Sequence, residues 1–418
     1  MENESVMLTE FLKGFTGKDI LAEPIVYPKA EIKKVEEPKK RGFLTIKGTG
    51  NSIDLKSQPN FLKTDIESVF KKLKLEVNAF EHSIGGVTET HALYVPNHSY
   101  KELTKQEVID EIVKKMGLKS PPTITHVKGN WSKMVDVVEI TFVRREREAQ
   151  HLGDYLNSKK FWDTKGDLLV PLGKSGSPLF VDLATLPHLL ITGTSGSGKS
   201  ESLNGMILSI HHRYTAQDVQ FAFIDPKLLE LNTYENSPLI ATYAEKNAFF
   251  TNVNKSIEYL ESLVEVMERR YRRLATAKVK NIKKFNEKNP QAKLPYLICV
   301  IDEFAKLVEV GDKERLFSAV KRLTAEARAS GIILIVATQT PRAEVLPGQI
   351  LGNLLTRVIF KTGNKTESDQ VLKVPEASFL QGKGDGIYVD AEGNKHRFTG
   401  VYLDDKVDEL EKIINWSV

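Results

Sequence analysis

From about residue 151 the chain alternates short apolar runs with longer stretches whose apolar residues recur at helical spacing. The runs are PHLLITG (187–193), VQFAFID (219–225), LPYLICVID (294–302), GIILIVATQ (331–339) and TRVIFKTG (356–363). Runs this short and this continuously apolar predict strands buried on both faces. Alternation of such strands with helices predicts a parallel sheet, so the expected fold class is α/β. Ahead of them, LLVPLGKSGSPLFVDL (168–183) predicts a hairpin around a Gly-Ser turn.

Residues 59–150 carry a weaker pattern. Ile66, Val69, Phe70 and Leu73 fall at helical spacing, as do Val108, Ile109, Ile112, Val113 and Met116. LEVNAFEHSIGG and THALYVPN read as strands around a Gly-Gly turn, and MVDVVEITFV (134–143) as another strand. A smaller α/β domain is therefore expected at 59–150, followed by a larger one at 151–418. His82, His91, His98 and His126 are scattered through the smaller domain, and no metal site is expected among them.

The start of the chain differs from both. A short amphipathic stretch (Leu8, Phe11, Leu12, Phe15) leads into VYPKAEIKKVEEPKKRG, rich in Lys, Glu and Pro. Residues 1–58 are expected to be a flexible tail or linker. Phe11 and Phe15 suit a staple onto the chain's own domain or a docking helix for a protein partner, and the pattern leaves both open.

Composition narrows the class without deciding the function. Of 418 residues, 41% are hydrophobic and 27% charged, as in an ordinary globular protein with a large core. A net charge of +4 allows a nucleic-acid partner but does not argue for one. Cys299 is the only cysteine, which excludes an intrachain disulfide. With no secretory signal, a reducing cytoplasm is expected. No stretch approaches the roughly 18–20 apolar residues that span a bilayer, so membrane insertion is not expected.

Three strand ends carry chemistry. GTSGSGKS (Gly193, Thr194, Ser195, Gly196, Ser197, Gly198, Lys199, Ser200) fits G-x-x-x-x-G-K-[ST] at every fixed position. It follows an apolar strand and precedes a helix with Leu203, Met206, Ile207 and Ile210 on one face. In that context the glycines let backbone N–H groups converge on phosphate oxygens at the positive end of the helix. Lys199 is expected on the β- and γ-phosphates of ATP and Ser200 on Mg²⁺. Glu201, the next residue, is counted with the nucleotide-binding segment. LICVIDEF (297–304) is an apolar strand ending in two carboxylates. Asp302 is placed to hold Mg²⁺, directly or through water, and Glu303 to polarise the attacking water as the catalytic base. Such pairs at the carboxyl ends of buried parallel strands sit where ligands bind. IILIVATQT ends on Thr338 and Gln339, and a polar residue there, Gln339 above all, is positioned to sense the γ-phosphate or the water. Cys299, inside its strand, is read as a small buried hydrophobe.

These motifs, with FIDPKLLELNTYE, MERRY (267–271), KVKNIKKFN, AEARASGIILIVATQTPR, LLTRVIFKTGNKTESDQVL and FLQGKGDGIYV (379–389), resemble the motor region of the FtsK/SpoIIIE family of double-stranded DNA translocases. The resemblance covers about residues 160–405 with its motifs in unbroken order, and 59–150 corresponds in position to the family's smaller α domain. It implies a RecA-like P-loop NTPase domain that assembles into a homohexameric ring around duplex DNA. ATP would then lie at subunit interfaces, with a neighbour's arginine completing each site. Arg328 and Arg357 match arginines of the family pattern, and Arg328 is the preferred finger in trans. One departure is Thr340 after the sensor strand, where the family usually has arginine; Arg342 follows two places on.

The resemblance further implies a stripped-down, soluble motor of the sort found on plasmids and conjugative elements, without the family's membrane and winged-helix domains. In RecA-like folds the loops after the Walker B strand and the next strand face the ring axis, here about 305–315 and 340–351. Lys306, Lys313, Arg315 and Arg342 would grip phosphates there without reading sequence. Each single lysine would equally suit a solvated surface. Two rival functions remain at this level: an ATPase of the same type driving protein export, and a non-catalytic DNA-binding recruitment module.

Overall fold

The computed structural model describes residues 49, 53, 62–84, 88–96, 100–118, 121–127, 135–144 and 149–403. The expected tail, 1–58, lies outside the described residues save Thr49 and Ile53, as does the segment 404–418.

Two large sheets organise the described residues; a third holds only the short strands Thr242–Tyr243 and Lys246–Asn247. The first is four-stranded and antiparallel at each pairing, in the order Asn78–Ile84, Thr88–Pro96, Val135–Val143, Thr123–Val127. Helices Lys63–Lys72 and Gln106–Met116 supply Ile66, Phe70, Ile112 and Met116 to one core with Leu93, Val138 and Ile140. The helical spacing in the sequence places these side chains on one face. The second helix ends at Gly117, whose φ of +63° forms a left-handed cap.

The second sheet is eleven-stranded. Its order is Phe249–Phe250, Val219–Ile224, Tyr296–Ile301, Ile332–Thr338, Leu189–Thr192, Thr356–Phe360, Asp385–Val389, Lys395–Tyr402, Leu169–Ser175, Ser177–Asp182, with Gln150–His151 beside Lys395–Tyr402. The first six run parallel to their neighbours. Every residue of Tyr296–Ile301, Ile332–Thr338 and Leu189–Thr192 is buried, as their continuous apolar sequence requires of strands covered on both faces. From Thr356–Phe360 onward the path Asp385–Val389, Lys395–Tyr402, Leu169–Ser175, Ser177–Asp182 is antiparallel. The predicted hairpin is the last pair of this extension. FLQGKGDGIYV starts at the end of the 3₁₀ turn Pro375–Phe379 and becomes a strand only at Asp385–Val389, paired with Lys395–Tyr402.

The sheet order matters for chemistry. The Ile332–Thr338 strand lies between the strand that leads into GTSGSGKS and the strand that leads into Asp302 and Glu303. All three therefore end on the same edge. The helix that follows GTSGSGKS, Lys199–Arg213, is buried well beyond its predicted face, including Asn204, Gly205, Leu208, Ser209, His211 and His212. It packs against Leu169–Ser175 and Lys395–Tyr402, and a Cβ on Gly205 would stand 3.0 Å from Val401 Cγ2. A helix held this tightly fixes the position of its first turn.

The long helix Val253–Thr276 is capped by the Asn252 side chain, which accepts from Lys255 N–H. It buries Ile257, Leu260, Leu263, Val264, Met267, Arg270 and Leu274, one stripe at helical spacing. Buried Arg270 donates to the carbonyls of Ser330 and Pro295. Among the described residues, no helix is long and apolar enough to cross a membrane.

Candidate active site

GTSGSGKS forms the loop between Leu189–Thr192 and Lys199–Arg213. A Cβ on Gly193 would fall 2.5 Å from Ser197 Oγ, so a larger residue would break the turn. Gly198 has φ +118°, and a Cβ there would meet Gly384 N at 2.8 Å. The loop is braced from two sides. Thr194 N–H donates to Lys361 O at 2.8 Å, and Gly384 N–H to Ser197 O at 2.8 Å. Ser195 and Gly196 are exposed at its crest. The Ser197 hydroxyl is buried and has no hydrogen-bond partner among the described residues. Gly198 caps the helix without a side-chain bond, so the helix presents its N-terminal N–H groups and the positive end of its dipole to the loop. A cradle that only glycine fits, with an orphaned buried hydroxyl and a helix terminus, suits an anionic phosphate chain.

Lys199 and Asp302 are both almost fully buried, and Lys199 Nζ donates to Asp302 Oδ1 at 2.7 Å. Burial pushes the Asp302 carboxyl above the usual carboxylate range; Lys199 opposes that rise, and the nearby Asp225 and Glu230 carboxylates add to it. Ser200 Oγ donates to Glu230 Oε1 at 2.7 Å. Ser200 and Asp302 offer hard oxygen donors, the kind Mg²⁺ requires, and few protein ligands suit a metal that keeps waters and takes phosphate oxygens. Among the described residues, no cluster of three or more His, Cys, Asp or Glu forms a separate metal site.

Glu303 caps helix Phe304–Val310 with φ +59°, a left-handed conformation that costs a non-glycine residue roughly 1–2 kcal/mol. Strand register explains its surroundings. Ile301 pairs with Val336, so two residues on Glu303 comes level with Thr338. Thr338 Oγ1 donates to Glu303 Oε1 at 3.0 Å, and Gln339 N–H donates to the same oxygen at 3.2 Å. Lys227 Nζ stands 3.4 Å from Oε2. A carboxylate fixed this way at the end of its strand is held as an oriented proton acceptor. Cys299, inside the strand that leads into Asp302 and Glu303, is fully buried, and burial pushes its thiol pKa up, as a packed small hydrophobe requires.

The structure thus gathers Gly193 to Ser200, Asp302 and Glu303 at one sheet edge. Glu201 follows in the first turn of the helix. Gln339 is present through its backbone N–H, while its side chain is exposed; the buried side chain on Glu303 is that of Thr338. Arg328 is elsewhere. It sits in the 3₁₀ turn before Ile332–Thr338, the opposite end of that strand from Thr338, and donates to Thr185 O at 2.7 Å. At about 3.3 Å per residue the strand separates it from its own chain's site by roughly 20 Å. Arg357 is engaged by its own fold. Its guanidinium donates to the carbonyls of Leu354, Val371 and Leu351 at 2.8, 2.6 and 3.0 Å, so all three nitrogens bond within its own chain.

The expected loop 305–315 is instead mostly helix, Phe304–Val310 and the start of Lys313–Glu326, with Asp312 capping the latter. Arg315 there pairs with both oxygens of Glu261, and Lys306 Nζ lies 3.9 Å from Glu309. The segment 340–351 holds one short helix, Gly348–Leu351, and Arg342 is largely exposed, 3.8 Å from Glu367.

Two site residues lie outside the nucleotide-binding motifs and carry no role in the sequence reading: Lys227 and Glu230, both within FIDPKLLELNTYE. Both follow Asp225, whose buried carboxylate accepts from the N–H groups of Lys227, Glu230 and Leu231 and so folds the segment back over the site. Their sequence signals are that family-like segment and their position, just past the carboxyl end of a parallel strand.

Residues 151–343 match the model of the FtsK/SpoIIIE family. The DNA translocase FtsK of Campylobacter jejuni (serotype O:2) is 33% identical over 386 residues, spanning 90% of this chain and 40% of that protein. The DNA translocase FtsK of Haemophilus influenzae is 38% identical over 297 residues, 64% of this chain and 54% of that protein. The chain thus spans about half or less of the length of these relatives. Among solved structures, the pCW3 conjugation coupling protein TcpA, in its monomer form with ATPγS, superposes with a TM-score of 0.58 at 22% identity, covering 84% of this chain and 98% of that one. The cytoplasmic domain of the Type VII secretion ATPase EccC of Thermomonospora curvata gives 0.54 at 23% identity, covering 64% and 34%. At these identities the structures speak to fold: a P-loop ATPase sheet.

Proposed function

Since the chain belongs to the FtsK/SpoIIIE family through residues 151–343, we propose that it is an ATP-hydrolysing motor that moves double-stranded DNA. The observation that supports catalysis most is the convergence of Lys199, Asp302 and Glu303 at one edge, with Glu303 held by Thr338 and Gln339 from the strand between. A degenerate site, as a recruitment module would carry, lacks that arrangement. Duplex DNA as the cargo is supported by the relatives that are DNA translocases.

In this reading the glycine loop and the terminus of helix Lys199–Arg213 bind the phosphates of ATP. Lys199 exchanges its partner Asp302 for phosphate oxygens. Ser200 and Asp302 hold Mg²⁺, which neutralises charge on the phosphates when bound. Glu303 takes a proton from the attacking water while Thr338 and Gln339 N–H keep its carboxylate in place. Arg328, exposed at the far end of its strand, is available to the site of a neighbouring subunit, which fits a ring of six copies. Contacts from Arg342 and Lys313 to phosphates would hold duplex without regard to sequence. The test of the chemistry is Glu303→Gln. This variant keeps the acceptor for Thr338 and Gln339 and removes the base. It should bind ATP like the wild type and hydrolyse it about 10²- to 10⁴-fold more slowly. Turnover at the wild-type rate would remove Glu303 from the role given it.

A further inference from the structure

Ser200 is held from two directions by the segment that follows Asp225. Its hydroxyl hydrogen goes to Glu230 Oε1 at 2.7 Å. Its carbonyl accepts from Asn204 Nδ2 at 3.0 Å, and Asn204 Oδ1 in turn accepts from Tyr234 OH at 2.7 Å. Tyr234 is fully buried, stacked on Phe223, so that end of the chain of bonds is rigid. Glu230 is fixed at its backbone by Asp225, which is itself fully buried.

A hydroxyl has one hydrogen and two lone pairs. When the hydrogen is committed to a carboxylate, the lone pairs face away from it and are free to bind a cation. The carboxylate also makes the oxygen a better donor, as partners of ligating groups do in metal sites generally. We propose that Glu230, with the Asn204–Tyr234 pair behind it, is a positioning residue that orients the Ser200 hydroxyl for the divalent cation of the nucleotide. Glu230 acts through Ser200 and contributes negative charge beside Asp302. Metal-free nucleotide, held by the glycine loop and Lys199, is indifferent to it.

The inference rests on the nucleotide-site reading, and the two fail differently. The measurement is ADP affinity of the full chain by titration calorimetry, with excess Mg²⁺ and with EDTA. Wild type binds ADP in both conditions, more tightly with Mg²⁺. Glu230→Ala should lose about 10-fold or more of the affinity in Mg²⁺ and none in EDTA. Glu230→Gln, which keeps an acceptor oxygen, should recover most of the loss. In a Ser200→Ala background, Glu230→Ala should add nothing. An equal loss with and without Mg²⁺, no loss in either, or additivity with Ser200→Ala would overturn the role of Glu230 and leave the nucleotide site standing. A wild-type chain that binds ADP in neither condition would overturn the nucleotide site and the inference together.

Discussion

Lys199→Ala removes a buried cation as well as a phosphate ligand, and the two losses separate experimentally. The Lys199 and Asp302 side chains are 4% and 5% exposed and 2.7 Å apart, and Lys199 is the group that offsets the burial of Asp302. Breaking a buried pair by deleting one partner costs about 3–5 kcal/mol, because the remaining charge is left without compensation. For a domain of this size, that lowers the midpoint of thermal unfolding by on the order of 10 °C. Lys199→Ala/Asp302→Asn deletes both charges, so it should be more stable than Lys199→Ala alone although neither variant binds ATP. The pH dependence has a sign. The folded-state pKa of Asp302 is raised, so between the unfolded-state and folded-state values the folded chain holds a proton that the unfolded chain releases. Its destabilising effect grows as pH rises and fades on acidification. Removing Lys199 raises that pKa further, so the stability gap between Lys199→Ala and wild type should narrow as pH falls from 7 toward 5. Midpoints by differential scanning fluorimetry across that range read both effects. Additive destabilisation in the double variant, or a gap that is constant with pH, would refute the coupling.

Three further outcomes follow from named contacts. Thr338→Val deletes the hydroxyl on Glu303 without opening a cavity; a hydrogen bond to a charged group contributes about 1.5–3 kcal/mol, so steady-state kcat should fall about 10- to 100-fold with KM nearly unchanged, and an unchanged kcat would contradict the role. Gly198→Ala, with φ +118° and a Cβ 2.8 Å from Gly384 N, should abolish nucleotide binding, whereas Gly393→Ala, at φ +88° in open space, should leave calorimetric ADP affinity intact; loss in both would make the effect a general instability. Burial pushes His188 and His211 down to about 4, so both stay neutral in the folded chain while the unfolded chain protonates them below about 6.5; the urea midpoint should fall as pH drops from 6.5 to 4, and a midpoint that rises over that window would contradict it.

The strands were legible because a sheet covered on both faces demands continuous apolar runs, and each of the five runs from PHLLITG to TRVIFKTG is a strand. The loop Gly193–Ser200 and the pair Asp302, Glu303 were legible because phosphate binding and water activation restrict residue type and spacing. The rest depends on contacts distant in sequence. Thr338 reaches Glu303 through strand register, and Glu230 reaches Ser200 through a fold-back organised by Asp225; neither leaves a local pattern. Arg357 reads as an arginine of the family pattern, yet its surroundings make it a carbonyl clamp. Analogy with other RecA-like folds makes 305–315 a loop, while its own Ala305, Leu307 and Val308 are buried on helix Phe304–Val310.

The most direct test of the account is ATP turnover by the full chain with and without long linear duplex DNA, with Glu303→Gln as the blank. Duplex should raise turnover several-fold whatever its sequence, added salt should return it toward the basal rate, and Glu303→Gln should lack turnover in both conditions. Turnover that duplex leaves unchanged, or that survives in Glu303→Gln, would contradict the account.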